Sequence, residues 1–228
     1  MNLLVLGKGK TGSLVADVAS ERGHQVTSAD EFDNADYAAL TPEKLRDIAV
    51  VIDFTAPIAV LGNIQACARA RRNMVIGTTG WYDQIPAVRE LVERSGIGLI
   101  YGSNFSVGVN LFFEIARAAA AALNYGYEGR IFETHHVQKK DAPSGTAVMI
   151  RNVIEQAAAQ RLEINSIREG DVVGIHTLRL ESSGDTITLT HDAKSRRGFA
   201  TGAVLAAEWL AGKKGFYDFR DVFQQMGK

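Results

Sequence analysis

The sequence predicts an α/β fold for the first half of the chain and an α+β fold for the second half. In the first half, short apolar runs alternate with helical stretches up to about residue 103. The first apolar run ends in a G-x-G-x-x-G pattern. Beyond this region the alternation stops, and two consecutive runs alternate apolar with polar residues. These observations predict a parallel sheet followed by a mostly antiparallel one.

Length, charge and cysteine content limit the classes of protein. The 228 residues suit one large or two small domains, and 25 basic residues against 26 acidic ones leave a net charge of −1. Without a basic excess, we expect neither nucleic acid nor an anionic membrane as a partner. The one cysteine, Cys67, fits a reducing compartment. With no signal peptide visible, the expected location is the cytoplasm.

The glycine pattern follows a strand and precedes a helix. Residues 2–6 form a continuous apolar run, as in a strand buried on both faces, and residues 13–22 have helical spacing. A second apolar piece at residues 25–27 leads to Asp30, close to the position of a ribose-binding carboxylate. This order predicts a dinucleotide-binding loop, with a plain tight turn as the alternative. The loop residues are Gly7, Lys8, Gly9, Lys10, Thr11 and Gly12.

Three further strands are predicted at residues 50–54, 74–76 and 97–101, separated by helical stretches. This alternation is typical of a Rossmann-like sheet, which binds ligands at the carboxyl ends of its strands. The residues at the later strand ends are small, polar or aromatic: Gly77, Thr78, Thr79, Gly102, Ser103, Asn104 and Phe105. Residues 1–103 are therefore predicted to form a dinucleotide-binding domain.

The second half is predicted to be a substrate-binding and oligomerisation domain at residues 104–201. Residues 202–228, which include a final amphipathic helix, are predicted to pack back on the first domain. The remaining elements are long helical patterns at 106–123 and 143–160, an extended piece at 130–136, and alternating runs at 172–180 and 186–191.

One short segment combines proton-transfer groups with a candidate anion site. His135, His136 and Lys139 precede the turn Pro143–Thr146, which opens a helical pattern. Histidine titrates near neutrality, a lysine with a lowered pKa can donate a proton, and a helix start can hold a carboxylate. If the segment is extended, His135 and Lys139 share a face and line one site.

Two other kinds of site are not expected in this segment. A metal site is not predicted, because the sequence shows no carboxylate-histidine cluster and no cysteine pair. A serine hydrolase is not predicted either, because Ser144 lacks the G-x-S-x-G pattern.

The run from Glu133 to Ala147 closely resembles the signature of the dihydrodipicolinate reductases, also called 4-hydroxy-tetrahydrodipicolinate reductases. Further pieces resemble the family in the same order along nearly the whole chain. They lie at residues 52–55, 77–80, 104–110, 171–176, 195–196, 199–202 and 215–218.

The resemblance implies a two-domain homotetramer. It would reduce a small cyclic dicarboxylate, 4-hydroxy-tetrahydrodipicolinate, to tetrahydrodipicolinate with NADH or NADPH, in diaminopimelate and lysine biosynthesis. It implies His135 as the acid/base residue and Lys139 as the proton donor. His136 and the turn residues Ser144, Gly145 and Thr146 would bind the substrate. The first glycine loop and the residues after the fourth and fifth strands would border the cofactor.

The charged residues near the two predicted binding sites do not by themselves decide between NADH and NADPH or identify the cation that binds the substrate. Asp30 favours NADH because its carboxylate would repel a 2′-phosphate, whereas Lys8 and Lys10 favour NADPH. We expect dual specificity with a slight preference for NADH. Lys139 and Arg196 are the candidate cations for the substrate carboxylates.

The chain departs from the family's usual pattern near the adenosine ribose. Family members usually have Gly-Arg-Met-Gly where this chain has Gly9-Lys10-Thr11-Gly12, and this chain is shorter between the second and third strands.

Two alternative functions stay open. One is another two-domain NAD(P)-dependent dehydrogenase of a small amino or dicarboxylic acid. The other is a regulator that senses a dinucleotide without turnover.

Overall fold

The computed structural model describes residues 1–227, which form two compact units. The first unit comprises Met1–Val107 and the chain from Arg197 onward, and the second comprises Gly108–Arg196. The sequence pattern places the boundaries after residues 103 and 201, whereas the units divide where two helices begin. Residue 228, the end of the predicted C-terminal segment, lies outside the described residues. The functions expected of the two domains remain predictions.

Over residues 1–227 the strands are β1 (Asn2–Leu6), β2 (Gln25–Ala29), β3 (Val50–Asp53), β4 (Asn73–Ile76), β5 (Gly98–Tyr101), β6 (Glu128–His135), β7 (Glu163–Arg168), β8 (Ile175–Glu181), β9 (Thr186–Asp192) and β10 (Gly215–Asp218). The α-helices are α1 (Lys10–Glu21), α2 (Pro57–Arg69), α3 (Ile85–Ser95), α4 (Val107–Ala119), α5 (Gly145–Ala158), α6 (Arg197–Leu210) and α7 (Phe219–Val222).

The first unit contains the predicted parallel sheet. Its order is β10-β5-β4-β3-β1-β2, and every pair of neighbouring strands is parallel. The sheet is buried on both faces, so consecutive residues of one strand enter different cores. Val51 belongs to the core that contains Ile64 of α2, whereas Ile52 belongs to the core that contains Val15 of α1. This burial on both faces explains the continuous apolar runs.

The C-terminal part of the chain completes the first unit. Helix α6 lies against α1, where the Arg22 guanidinium donates to both Glu208 carboxylate oxygens at 2.8 and 2.7 Å. Strand β10 then adds to the edge of the sheet, with Phe216 beside Leu99 of β5. The sequence analysis did not identify β10 as a strand, because four residues show too little periodicity.

The order of the strands reverses at β1. This strand pairs with β2 on one side and with β3 on the other, although β3 follows β2 in sequence. The loops after β1 and β3 therefore flank a topological switch point, where open parallel sheets bind ligands. The predicted glycine loop lies at this point.

The second unit has one mixed sheet, with the order β7-β6-β8-β9. The pairs β6–β8 and β8–β9 are antiparallel, and β6–β7 is parallel, which confirms the predicted α+β fold with a mostly antiparallel sheet. Helices α4 and α5 cover one face, where Ile131 and Leu178 share a core with Phe112 and Ile150. The opposite face carries alternating side chains such as Phe132 and Arg179.

Strand β7 was missed by the sequence analysis. Its six residues are mostly exposed and contain Glu163, Asn165 and Ser166, so they lack the apolar alternation of a half-buried strand. Pairing with β6 determines its conformation, through a β6–α5–β7 crossover. Within residues 1–227, none of the helices is both long enough and apolar enough to span a membrane.

Candidate active site

The three glycines of the first loop are required for different physical reasons. Gly7 has φ +95°, and a Cβ there would lie 2.3 Å from the Phe54 carbonyl oxygen. A Cβ at Gly12 would lie 1.9 Å from the Gly7 carbonyl oxygen, whereas a Cβ at Gly9 would meet no atom within 4 Å. Gly7 therefore permits the turn, Gly12 permits close packing of helix and strand, and Gly9 leaves its backbone open to a ligand.

Helix α1 begins beside the open Gly9. Gly9 is the N-cap residue and supplies no side-chain cap, so the first turn of α1 presents backbone N–H groups. Ser13 donates its hydroxyl to the Lys8 carbonyl at 3.1 Å and braces the loop, and Lys10 is exposed. A helix start reached through an open glycine backbone fits the pyrophosphate of a dinucleotide.

Asp30 lies at the end of β2 in a small charged cluster. Its carboxylate accepts the N–H groups of Phe32 and Asp33 at 3.0 and 2.9 Å. The Lys8 ammonium lies 3.3 Å from Asp30 and 2.5 Å from Asp33. The hydrogen bond from Lys8 lowers the pKa of Asp33. Lys8 is thus held by two carboxylates, and sequence analysis had identified only one of them.

Asp53 connects two of the loops at the strand ends. This fully buried carboxylate accepts the Thr55 N–H at 2.9 Å, the Thr55 hydroxyl at 2.7 Å and the Thr78 hydroxyl at 2.9 Å. Asn63 of α2 donates to its second oxygen at 2.8 Å. The hydroxyl of Thr78 is therefore engaged inside the protein, while its neighbour Thr79 is exposed.

The loop after β5 combines buried and exposed residues. Phe105 is 1% exposed and its ring centroid lies 4.5 Å from that of Phe219, so it packs in the core of the first unit. Gly102 is buried, whereas Ser103 is exposed. Asn104 accepts the Ser106 N–H through its side chain at 2.9 Å. Of these four predicted cofactor neighbours, Phe105 lies in the core and stabilises the loop, and Ser103 is the most accessible to a bound cofactor.

In the second unit, strand register brings four polar side chains together, of which only His135 was predicted as a site residue. On the face of the sheet that α5 covers, His135 of β6 pairs with Arg168 of β7, and Glu133 pairs with His176 of β8. The Glu133 carboxylate accepts hydrogen bonds from His135 Nδ1, from Arg168 at 2.9 Å and from the Ser144 N–H at 3.3 Å. Glu133 is fully buried, and both of its oxygens accept hydrogen bonds from these donors.

Burial and neighbouring charges shift the pKa values of Glu133 and His135. Burial opposes ionisation of Glu133, but the hydrogen bonds from Arg168, Ser166 and His135 outweigh it, so the pKa of Glu133 lies below its ordinary value. Burial also lowers the pKa of His135, although Glu133 opposes this shift. His135 is thus neutral near pH 7, beside an ionised carboxylate.

Ser144 links the start of α5 to His176. The Ser144 hydroxyl accepts the Ala147 N–H at 3.2 Å as the N-cap of α5, and it lies 3.1 Å from His176 Nε2. Burial, and to a smaller extent the nearby His135, lowers the pKa of His176 to about 4. Gly145 is exposed, and a Cβ there would meet no atom within 4 Å, so the helix start is open at this residue.

The residues after His135 do not stay extended, which was the condition for His135 and Lys139 to share a face. Strand β6 ends at His135, and the chain turns so that the Lys139 N–H donates to the His136 carbonyl at 3.1 Å. Lys139 forms an ion pair with Asp141 at 2.8 Å. The face-sharing argument for His135 and Lys139 therefore fails, although the charge of Lys139 still lowers the pKa of His135.

The premise used against a metal site was also wrong. Glu133, His135 and His176 place one nitrogen or oxygen atom each within 4.8 Å of one another, so the second unit does contain a carboxylate-histidine cluster. Each of these side chains has a hydrogen-bonding partner: Arg168 and His135 donate to Glu133, and Ser144 lies on His176. The positive charge of the Arg168 guanidinium, which donates to the same carboxylate, is a further argument against a metal cation there.

Sequence reasoning missed Glu133, Arg168 and His176 as members of the site. Glu133 could have been found, because residues two apart on a strand share a face and His135 had been singled out. Arg168 and His176 come from strands whose partners lie far away in sequence. Arg196, the second candidate cation, is exposed at the end of the second unit.

Comparison with known proteins extends the match to the whole chain. The family model described as "Dihydrodipicolinate reductase, N-terminus" matches residues 1–105, and that described as "Dihydrodipicolinate reductase, C-terminus" matches residues 108–223. The 4-hydroxy-tetrahydrodipicolinate reductase of Christiangramia forsetii is 38% identical over 244 aligned positions that cover both chains completely. The enzyme of the same name from Neisseria meningitidis serogroup A is 41% identical over 76% of this chain and 71% of its own.

Solved structures show the same fold at lower sequence identity. A dipicolinate-bound dihydrodipicolinate reductase from Paenisporosarcina sp. TG-14 aligns with a TM-score of 0.80 at 22% identity, over 97% of this chain and 99% of its own. A probable dehydrogenase from Thermotoga maritima aligns with a TM-score of 0.61 at 12% identity, over 99% of this chain and 93% of its own.

Proposed function

The chain belongs to the dihydrodipicolinate reductase family, and from this membership we infer that it reduces 4-hydroxy-tetrahydrodipicolinate to tetrahydrodipicolinate with NADH or NADPH. The observation that carries this inference is the match of both family halves, in order, over residues 1–105 and 108–223. The reaction belongs to diaminopimelate and lysine biosynthesis. It removes the 4-hydroxyl as water and adds one hydride and one proton.

The first unit would hold the cofactor. Its glycine loop fits a dinucleotide because Gly9 is open, α1 begins beside it, and the loop lies at the switch point of the sheet. When bound, the nicotinamide supplies the hydride. Asp30 would contact the adenosine ribose, and Asp53 would keep the loops after β3 and β4 in place through Thr55 and Thr78. The other predicted cofactor neighbours lie at the ends of β4 and β5.

The second unit would bind the dicarboxylate. The start of α5 offers backbone N–H groups and the positive end of the helix dipole to one carboxylate, and Ser144, Gly145 and Thr146 are the residues that would surround it. The Ser144 N–H itself already donates to Glu133. His136 and the ammonium of Lys139 would complete the binding of the substrate. Because Lys139 already pairs with Asp141, the substrate would compete with Asp141 for this cation.

Proton transfer would involve His135 and Lys139. His135 has the hydrogen-bond partner that a general acid/base needs, since the Glu133 carboxylate orients its ring. Lys139 carries the proton that the product requires, and it lies close enough to influence the pKa of His135. We assign His135 as acid/base and Lys139 as proton donor on these grounds.

Assembly into a homotetramer in the cytoplasm completes the proposal. Support for assembly comes from the sheet face that points away from α4 and α5, where Phe132 and Thr177 are half-buried and Arg179 is exposed. Light scattering of the purified protein at several concentrations should give the mass of a tetramer. A monomeric mass at all concentrations would contradict this part of the proposal.

The activity is tested by following cofactor oxidation. Purified protein should oxidise NADH or NADPH when the lysine-pathway intermediate is supplied, and should form tetrahydrodipicolinate in equal amount. A dehydrogenase of another small acid would instead turn over an amino acid, and a dinucleotide sensor would bind cofactor without oxidising it. Either result would contradict the proposed function.

A further inference from the structure

Glu133 and His135 form a buried pair on one face of β6. They are two residues apart, so their side chains point the same way, and His135 Nδ1 lies in hydrogen-bonding contact with one oxygen of Glu133. The other oxygen of Glu133 accepts the Ser144 N–H at 3.3 Å and an Arg168 Nη2–H at 2.9 Å. One carboxylate thus touches both the histidine and the first residue of the predicted substrate turn.

The chemistry of these contacts determines where the proton of His135 resides. An ionised carboxylate only accepts hydrogen bonds, so His135 Nδ1 must be the donor. In the neutral ring, Nε2 then carries the free lone pair. On that side lies Gly174, where a Cβ would come within 2.9 Å of Nε2.

We propose that Glu133 is a positioning residue, which fixes His135 in the Nδ1-protonated tautomer and ties its ring to the Ser144 turn, so that Nε2 is the atom that exchanges a proton. The proposal rests on the proposed function for the catalytic part of its test. It does not make Glu133 a catalytic residue, because Glu133 acts through His135.

Charges from neighbouring elements act on His135. Glu133 on its own strand favours the charged ring, whereas Lys139 in the turn and Arg168 on β7 disfavour it. His176 on β8, with a pKa of about 4, is neutral near pH 7 and adds no charge there. Removing the charge of Glu133 leaves only the opposing charges. The protonated form of His135 should therefore become less favourable, and the pH dependence of turnover assigned to His135 should shift to lower pH.

The substitution Glu133→Gln tests the orientation of the proton. Ser144 and Arg168 both donate to one oxygen of residue 133, so the amide oxygen of Gln should stay on that side. Its NH₂ group would then face His135 Nδ1 and donate to it. The neutral ring should change to the Nε2-protonated tautomer, and kcat should fall by ~10²–10⁴-fold with little change in the KM for NADH.

The measurement combines steady-state kinetics with ¹⁵N NMR of the imidazole rings, assigned with His135→Gln. Glu163→Gln, an exposed carboxylate on β7, is the matched control and should behave like the wild type. In the wild type, the ¹⁵N signals of His135 should show a protonated Nδ1 and an unprotonated Nε2. In Glu133→Gln the signals should instead show an unprotonated Nδ1 and a protonated Nε2.

Two results would overturn the proposal. One is a ¹⁵N spectrum of the wild type in which the His135 proton lies on Nε2 or is averaged between both nitrogens. This spectrum can be measured even if the Glu133→Gln variant does not fold. The other is a folded Glu133→Gln variant with wild-type kcat, pH profile and tautomer. The NMR reading needs no activity, so a wild type that oxidises no cofactor would contradict the proposed function and leave the placement of the proton to be judged separately.

Discussion

His135 and Lys139 are the residues on which the proposed chemistry depends most directly. His135→Gln and Lys139→Ala should each lower turnover by ~10²–10⁴-fold, because each removes a group that moves a proton, while the affinity for cofactor stays near that of the wild type. Turnover and cofactor affinity of the purified variants measure the effect. Lys140→Ala, which removes an exposed neighbouring lysine, is the control. Wild-type turnover in a folded variant would remove that residue from the mechanism.

We expect single charges to determine cofactor choice as well. Lys8 lies between Asp30 and Asp33, so its charge is offset, and Lys10 is the exposed loop lysine that could meet a 2′-phosphate. We predict dual specificity with a slight preference for NADH, within roughly a hundredfold or about 2.7 kcal/mol. Lys10→Ala should lower kcat/KM for NADPH selectively.

The comparison of kcat/KM for both cofactors distinguishes the contributions of the two lysines. Lys8→Ala leaves Asp30 and Asp33 unopposed and should also disfavour NADPH, by repulsion rather than by loss of a contact. An equal loss for both cofactors in Lys10→Ala would mean that Lys10 meets only the shared pyrophosphate. A preference above a hundredfold would show that one charge dominates.

At the level of secondary-structure elements, the strand-to-helix loop of the first unit separates folding from binding. A Cβ at Gly12 would lie 1.9 Å from a backbone oxygen, so Gly12→Ala should cost ~1–3 kcal/mol or more of stability. Gly9 has φ −75° and open space around it, so Gly9→Ala should fold normally. Its methyl group should nevertheless obstruct the pyrophosphate and raise the KM for NADH about tenfold, or ~1.4 kcal/mol.

Thermal unfolding and cofactor kinetics of the two glycine variants test this separation. We expect a lowered Tm for Gly12→Ala and a nearly unchanged Tm for Gly9→Ala. An unaltered KM for NADH in Gly9→Ala would show that the cofactor does not approach the backbone at this residue.

The start of α5 is the element to which we assign carboxylate recognition. Pyridine-2,6-dicarboxylate should compete with the substrate, and its mono-ester should inhibit much less, because the ester lacks one charge for the helix start. Ser144→Ala should weaken the dicarboxylate and also cost about 1 kcal/mol of stability through loss of the N-cap. Equal inhibition by acid and mono-ester would argue against anion recognition at this turn.

For the molecule as a whole, the buried histidines make stability depend on pH. The pKa of His176 falls from 6.5 to about 4 on burial. Below pH 6.5 the unfolded chain therefore binds a proton that the folded chain does not, and the stabilisation is lost as the pH falls toward 4. From this histidine alone the loss between pH 7 and pH 5 should be about 2 kcal/mol.

Urea unfolding at pH 7 and pH 5 measures this dependence. His176→Asn should be less stable than the wild type at pH 7, because the contact with Ser144 changes, but it should lose about 2 kcal/mol less on acidification. The same loss in both proteins would show that His176 does not titrate differently in the folded and unfolded states.

Much of the fold could be predicted from local patterns. The apolar runs of β1, β3 and β5 and the glycine loop after β1 identified the parallel sheet, because strands buried on both faces lose their polar residues. Strands β7 and β10 carry no such pattern. They lie at sheet edges, and their conformation depends on the neighbour with which they pair.

The sequence by itself determined the fold class, the family and the short segments to which we assign the chemistry, since motifs and periodicity are local properties of the chain. Only the tertiary structure decided that β6 ends at His135, that Lys8 is held by Asp30 and Asp33, and that Glu133 is surrounded by donors from three elements. Strand register and helix packing join residues distant in sequence, and no local pattern records which partners they will meet.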